Sequence, residues 1–327
     1  MPGPRNTATR RSRGADPGHG DETPAIDLDG VTKRYGDVTA LERVSLTVAS
    51  GEIFGFLGPN GAGKTTLINL LLGFSRPTAG EVCVLGLDVG EHPQRVCART
   101  GVLHERGAVY DRLTGREHVE FAVESAGSDE DPTALLSRVG LAEEASRRAG
   151  EYSKGMAQRL LLGMALAGSP DLLILDEPST GLDPNGAREL REIVRAEADR
   201  GATVFFSSHV LDQVEAVCDR VGILHHGELI AVDSIDGLRA TAESKTTLTV
   251  EVDRLPDGVV EAVEAVQGVA GVTVNGTTAT VSCDGTAKRD VLSEFEAAGA
   301  TVETFETSQP SLEDLFVGYT TGTGDDR

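Results

Sequence analysis

The chain has 327 residues, 52 of them acidic and 30 Lys or Arg, for a formal net charge of −22. Hydrophobic residues make up 39% and glycine fills another 39 positions, an apolar share that excludes a disordered acidic polymer. The acid excess excludes a nucleic-acid binder that works through one overall positive field, and no apolar run approaches the roughly 18 residues of a membrane-crossing helix.

Residues 1–24 are rich in Gly, Pro, Arg and Thr without periodicity, which predicts a disordered N-terminal arm. Ile26, Leu28 and Val31 open a strand-like stretch, and Leu41 to Val48 alternates apolar with polar. Glu52 to Leu57 is a compact apolar run that breaks into Gly58-Pro59-Asn60-Gly61-Ala62-Gly63-Lys64-Thr65, followed by Thr66 and a helical spacing to Phe74. Strand, glycine-rich turn and helix are the context of a phosphate loop. The glycines let successive backbone N–H groups close on phosphate oxygens, Lys64 reaches the β- and γ-phosphates, and the Thr65 hydroxyl is a Mg²⁺ ligand.

Leu113 to Ala167 reads as mostly helical, with an acidic break at Gly127 to Pro132. Asp171 to Asp176 is a short apolar strand ending in acid, which a buried strand tolerates only where something compensates the charge. Asp176 would then hold Mg²⁺, directly or through water, and Glu177 is positioned as the general base. Pro184 to Arg200 is a charged amphipathic helix, and Thr203 to Ser208 is a buried strand. This alternation predicts an α/β domain with a largely parallel sheet.

Beyond residue 240 the composition changes. Thr246–Val252 reads as strand, Val259–Val266 as helix, Val272–Val274 and Thr278–Val281 as a hairpin about Asn275-Gly276, Asp290–Ala298 as helix and Thr301–Phe305 as strand. The order β-α-β-β-α-β predicts a small ferredoxin-like α+β domain, suited to dimerisation or regulation because it carries no catalytic constellation. Cys83, Cys97, Cys218 and Cys283 are widely spaced and read as structural thiols, and His225-His226 has no ligand-spaced partner.

Further motifs complete the series: Lys33-Arg34-Tyr35-Gly36, Tyr152-Ser153-Lys154-Gly155-Met156, Ser179-Thr180-Gly181-Leu182-Asp183-Pro184 and Ser207-Ser208-His209. With them, residues 25–235 resemble the nucleotide-binding subunits of ABC transporters, most closely the exporter branch that includes drug-resistance ATPases. Gln309 to Phe316 resembles the C-terminal ending of exporter-type members with an accessory domain.

The resemblance implies a P-loop NTPase domain of ABC type over 25–240, with a helical subdomain at about 113–167. An accessory domain over 241–320 and a flexible tail over 321–327 follow. It implies ATP and Mg²⁺ as ligands, with Lys64, Glu177 and His209 catalytic and Tyr35 stacking on adenine. Ser153, Lys154, Gly155 and Met156 would contact ATP held by the other protomer, and Asp183 would lie in the loop that crosses the dimer. Glu105 stands where the family usually has Gln, beside the metal. The signature departs from the family's Leu-Ser-Gly-Gly-Gln at Tyr152, Lys154 and Met156. A homodimer, or a heterodimer with a paralogue, would work with a transmembrane permease on a separate chain, so the protein would be cytoplasmic and peripheral on the inner face of the membrane. A soluble ABC-type ATPase of DNA repair or translation is the alternative, and an ATP-scaffolded binding module is a third class.

Lysine supplies only five of the 30 basic residues, at 33, 64, 154, 245 and 288. Acid excess with scarce lysine suggests adaptation to high salt, where counterions screen self-repulsion. A GC-rich genome would bias the composition the same way.

Overall fold

The structure, a computed structural model, describes residues 23–238, 245–256 and 258–308. The N-terminal arm up to residue 22, the junction at 239–244, the Gln309–Phe316 motif and the tail at 321–327 lie outside the described residues.

Fourteen strands run in chain order among the described residues: β1 (Ile26–Tyr35), β2 (Val38–Val48), β3 (Ile53–Leu57), β4 (Ala79–Val84), β5 (Leu87–Asp88), β6 (Thr100–Leu103), β7 (Leu172–Asp176), β8 (Thr203–Ser208), β9 (Arg220–His225), β10 (Glu228–Ser234), β11 (Lys245–Val252), β12 (Val269–Asn275), β13 (Thr278–Asp284) and β14 (Val302–Ser308). The helices that matter for the site are α1 (Lys64–Leu71), α2 (Pro93–Cys97), α3 (Gly115–Ser125), α4 (Pro132–Arg138), α5 (Lys154–Ala165), α6 (Pro184–Asp199) and α7 (Leu211–Glu215). Helices α8 (Val259–Glu264) and α9 (Lys288–Ala297) follow in the C-terminal part.

A six-stranded sheet in the order β10-β9-β3-β8-β7-β6 forms the centre, parallel except for the β9–β10 pair. Every residue of β3, β7 and β8 is buried. Such strands lack polar alternation because both faces are covered. Their side chains still alternate between two cores. Ile53, Leu57, Leu173, Leu175, Val204 and Phe206 face the cluster that holds the helical segment and α6. Phe54, Phe56, Leu172, Ile174 and Phe205 face a second cluster with α1, β1 and β2. Gly55 belongs to the first face, where a Cβ would lie 2.2 Å from Val214 Cγ1; α7 packs there against bare backbone.

An antiparallel sheet, β2-β1-β4-β5, covers the α1 side and was not foreseen from the sequence. Strand β6 was also missed. It is four residues long and contains Gly101, whose Cβ would lie 2.0 Å from the Ala165 carbonyl oxygen at the end of α5. The expected helical segment is present as α3, α4 and α5. Its first helix begins with a capping box in which Thr114 and Glu117 satisfy each other's backbone N–H groups.

The C-terminal sheet is antiparallel in the order β12-β13-β11-β14, with its own apolar cluster centred on Leu248, Val250, Val281, Val291 and Phe295. Its hairpin is displaced by one residue from the expected place. Asn275 pairs with Thr278, so the two-residue loop is Gly276-Thr277. Gly276 has φ +64° at the first central position, the place a II′ turn reserves for glycine.

Candidate functional site

The site is built where β3 runs into α1. Gly63 caps α1 at φ +114°, and a Cβ there would lie 2.6 Å from the Ala40 carbonyl oxygen. A Cβ on Gly58 would lie 2.6 Å from the Leu224 carbonyl oxygen. The loop between these glycines is therefore held tightly between β2 and β9, and larger residues at either position would open it. Gly227 adds a further clasp, its N–H donating to Ala62 O at 2.9 Å.

A cavity of about 410 Å³ opens over this loop. Pro59, Asn60, Gly61, Gly63, Lys64, Thr65 and Thr66 line it, together with Glu105, Asp176 and Glu177. These residues come from three separate chain segments. Ala62 is buried beneath the loop, and Gly58 accepts from Lys64 Nζ through its carbonyl at 2.5 Å.

Lys64 is 7% exposed, and its ammonium lies 3.7 Å from Glu177 Oε1. Burial holds its pKa below the ordinary lysine value, against the opposing pull of Glu177, Asp176 and Glu105. Burial pushes the Asp176 carboxyl above its ordinary range, reinforced by the charges of Glu177 and Glu105. Three carboxylates therefore share the cavity with one ammonium. The hard oxygen donors of such a set, with the Thr65 hydroxyl alongside, are of the kind that suits Mg²⁺. No group of three or more His, Cys, Asp or Glu among the described residues converges into a metal cage.

Glu177 follows β7 directly and has φ +50°, a left-handed conformation rare for a residue with a side chain. Its N–H donates to Ser207 O at 2.9 Å. Its carboxylate meets His209 Nδ1 at 2.8 Å and accepts from Ser208 Oγ at 3.3 Å. His209 is half exposed and reaches the site through Glu177 rather than by lining the cavity. The backbone strain at Glu177 fixes a carboxylate next to the phosphate loop.

Tyr35 does not line the cavity. It is half exposed, with the Lys33 ammonium 4.8 Å from its ring centre. It pairs across the β1–β2 hairpin with Val38, which does line the cavity, so both side chains belong to one face of that hairpin. Ser153, Lys154, Gly155, Met156 and Asp183 also stand outside this chain's cavity. Within the chain, Ser153 caps α5 by accepting from Met156 N at 3.2 Å, and Asp183 caps α6 by accepting from Gly186 N at 2.7 Å. The Lys154 stem lies across Gly181, where a Cβ would come 2.5 Å from Lys154 Cδ. Gln158 Nε2 donates to Pro178 O at 3.1 Å and so ties α5 to the segment just after Glu177, a link not read from the sequence.

The Tyr152 departure has a structural partner. Its hydroxyl donates to Glu144 O at 2.7 Å, and the space it needs exists because residue 115 is glycine; a Cβ there would lie 2.2 Å from the Tyr152 oxygen. Gly115→Ala should destabilise the chain by about 1–3 kcal/mol through overpacking. Adding Tyr152→Leu should recover part of that loss in urea unfolding, and simple additivity of the two changes would show that they do not share a site.

The cavity residues that the sequence reading missed are Val38, Thr39, Ala40, His226 and Gly227. No local pattern marks them, because they reach the phosphate loop only through pairing of β1 with β2 and β9 with β10.

Comparison with known proteins gives matches to two family models. Residues 41–180 match "ABC transporter", and residues 234–320 match "ATP-binding protein DrrA1-3-like, C-terminal domain". The chain is 35% identical to the daunorubicin resistance ATP-binding protein DrrA3 of Streptomyces coeruleorubidus, over 93% of this chain and 97% of that one. It is 45% identical to an uncharacterized ABC transporter ATP-binding protein of Nostoc, over 62% of each chain. A solved ATP-binding subunit of an ABC transporter superposes with a TM-score of 0.61 at 29% identity, covering 66% of this chain and 92% of that one.

Proposed function

We propose, from the premise that this chain belongs to the family of ABC transporter ATP-binding proteins, that the cavity over the phosphate loop is its ATP-hydrolysing centre. The chain is an ATPase that powers a transporter of the exporter type. The observation that carries the assignment of the site is the convergence of Lys64, Asp176 and Glu177, from separate segments, on one cavity beneath the N-terminus of α1.

In this reading Lys64 and the loop's N–H groups hold the β- and γ-phosphates, and Glu177 accepts a proton from the attacking water while His209 orients its carboxylate. Thr65 and Asp176, with Glu105 nearby, would hold Mg²⁺, which neutralises phosphate charge when bound. Tyr35, at the hairpin tip, closes on adenine. Ser153, Gly155 and Met156 present the N-terminus of α5 to ATP on a second protomer, a homodimer or a close paralogue, and Lys154 adds a positive charge beside it. Asp183 sits in the loop that meets that protomer. Domain limits of 25–240 and 241–320 follow from the same reading, with the C-terminal unit serving dimerisation or regulation.

No helix among the described residues is long and apolar enough to cross a membrane. A separate transmembrane permease is the proposed partner, with this chain peripheral on the cytoplasmic face, because the matched proteins are named as ATP-binding subunits of transporters. A soluble ATPase without a transport role is not favoured, because the relative matched over nearly its whole length is named for drug resistance.

One experiment tests this reading and the high-salt reading of the charge together. The chain is purified with its membrane partner from native membranes and reconstituted in vesicles, and ATP-dependent drug accumulation is followed across a salt series. Transport should depend on ATP and rise from about 0.1 M to molar salt, as the Debye length falls from about 10 Å to about 3 Å. Failure to retain any membrane partner would overturn the transport role. Full activity at low ionic strength would overturn the salt adaptation.

A further inference from the structure

The triphosphate end of the cavity is accounted for by the phosphate loop and the three carboxylates, but a wall without carboxylate, lysine or arginine remains. It consists of Val38, Thr39, Ala40, His226 and Gly227. A nucleoside triphosphate threaded through the loop with its γ-phosphate at Glu177 must direct its ribose and base away from the carboxylates. This wall is the lining left to receive them.

His226 supplies the only ring in that wall. It sits at the β9–β10 turn, where His225 pairs with Glu228 and the two-residue loop is His226-Gly227. Both loop residues have positive φ, +46° and +83°, which is the I′ geometry that favours Asn-Gly. A histidine at the first position is thus held in a conformation that asparagine or glycine would adopt at lower cost. The turn is also fixed to the site: Gly227 N–H donates to Ala62 O at 2.9 Å, and Glu42 N–H donates to Gly227 O at 2.8 Å. The His225 ring lies 4.1 Å from the His226 ring, centre to centre, at 60°, and backs it from the β9 side. An aromatic residue thus lines the cavity from a turn held by two backbone hydrogen bonds, while Tyr35 does not line it.

We propose that His226 is a nucleoside-contacting residue whose imidazole packs against the base-and-ribose half of the bound nucleotide. This rests on the cavity being the ATP site. It makes the ligand class a nucleoside triphosphate rather than any polyphosphate, and it divides recognition between the β1–β2 hairpin tip and the β9–β10 turn.

The test uses the full chain and two variants, His226→Gly and His226→Asn, both of which suit the left-handed turn. Binding of ATP and of inorganic tripolyphosphate is measured by calorimetry, and ATP hydrolysis is followed in parallel. ATP affinity should fall about tenfold in both variants, in line with the loss of one stacking contact, with KM rising and kcat holding. Tripolyphosphate affinity should stay at the wild-type level. Unchanged ATP affinity in His226→Gly would overturn the proposal, as would an equal loss for tripolyphosphate, which would mean that the turn only supports the phosphate loop. Wild-type protein that binds neither ligand would instead bring down the nucleotide-site reading itself.

Discussion

Glu177→Gln should bind ATP at close to wild-type affinity and hydrolyse it about a hundredfold to ten-thousandfold more slowly, the span expected for loss of a general base. The substitution is nearly isosteric. It leaves the strained backbone at φ +50° and the N–H bond to Ser207 O in place. The carboxylate that meets His209 Nδ1 at 2.8 Å and Lys64 Nζ at 3.7 Å is replaced by a neutral amide. Binding should survive because the phosphate contacts come from the loop and Lys64. With hydrolysis blocked, ATP should hold two protomers together, so the variant should elute as a dimer with ATP and as a monomer without it. A variant that hydrolyses normally and stays monomeric with ATP would remove Glu177 from the role of base.

The parts of this arrangement visible in the sequence are those where local chemistry is extreme. A run such as Leu172 to Leu175 is apolar on both faces of its strand, and that marks a central parallel strand. Gly58 and Gly63 sit where a carbonyl oxygen leaves no room for a Cβ, and Gly61 has a positive φ that side chains rarely adopt, so the phosphate loop announces itself. The missed parts depend on pairing between distant segments. Val38 to Ala40 and His226 enter the cavity through hairpins whose registers carry bulges between Leu28 and Arg34 and between Leu229 and Ala231. Short strands such as β5 and β6 carry too few residues to show a period. The Tyr152–Gly115 contact joins residues 37 positions apart, and neither residue type signals the other. The charge balance of the site lay between these cases. The individual acids were readable as candidates, but that Glu105, Asp176 and Glu177 crowd a single ammonium is a property of the folded cavity.

That crowding sets the second large effect, at Lys64. Replacing Lys64 with Met keeps the length of the buried stem and removes the ammonium. Turnover should fall by about a thousandfold or more, because a cation placed on the transferring phosphoryl group contributes on that scale. Stability of the ligand-free protein should move the other way. Burial holds the folded-state pKa of Lys64 below its value of 10.5 in the unfolded chain, so folding with the ammonium charged carries a net cost. The cost is present in full while pH stays below the folded-state pKa. It is relieved as pH rises from that value to 10.5, so wild-type stability should gain over that window relative to the Met variant. At neutral pH the Met variant should therefore unfold at higher urea than the wild type while hydrolysing almost nothing, a stability–activity opposition expected where a site is built to receive a charged ligand. Adding Mg²⁺ and ATP should reverse the order, since only the wild type gains the full binding energy of the triphosphate. A Met variant less stable than the wild type without ligand would mean that the bonds from Lys64 Nζ to the Gly58 and Pro59 carbonyls and the pairing with Glu177 outweigh the burial of its charge.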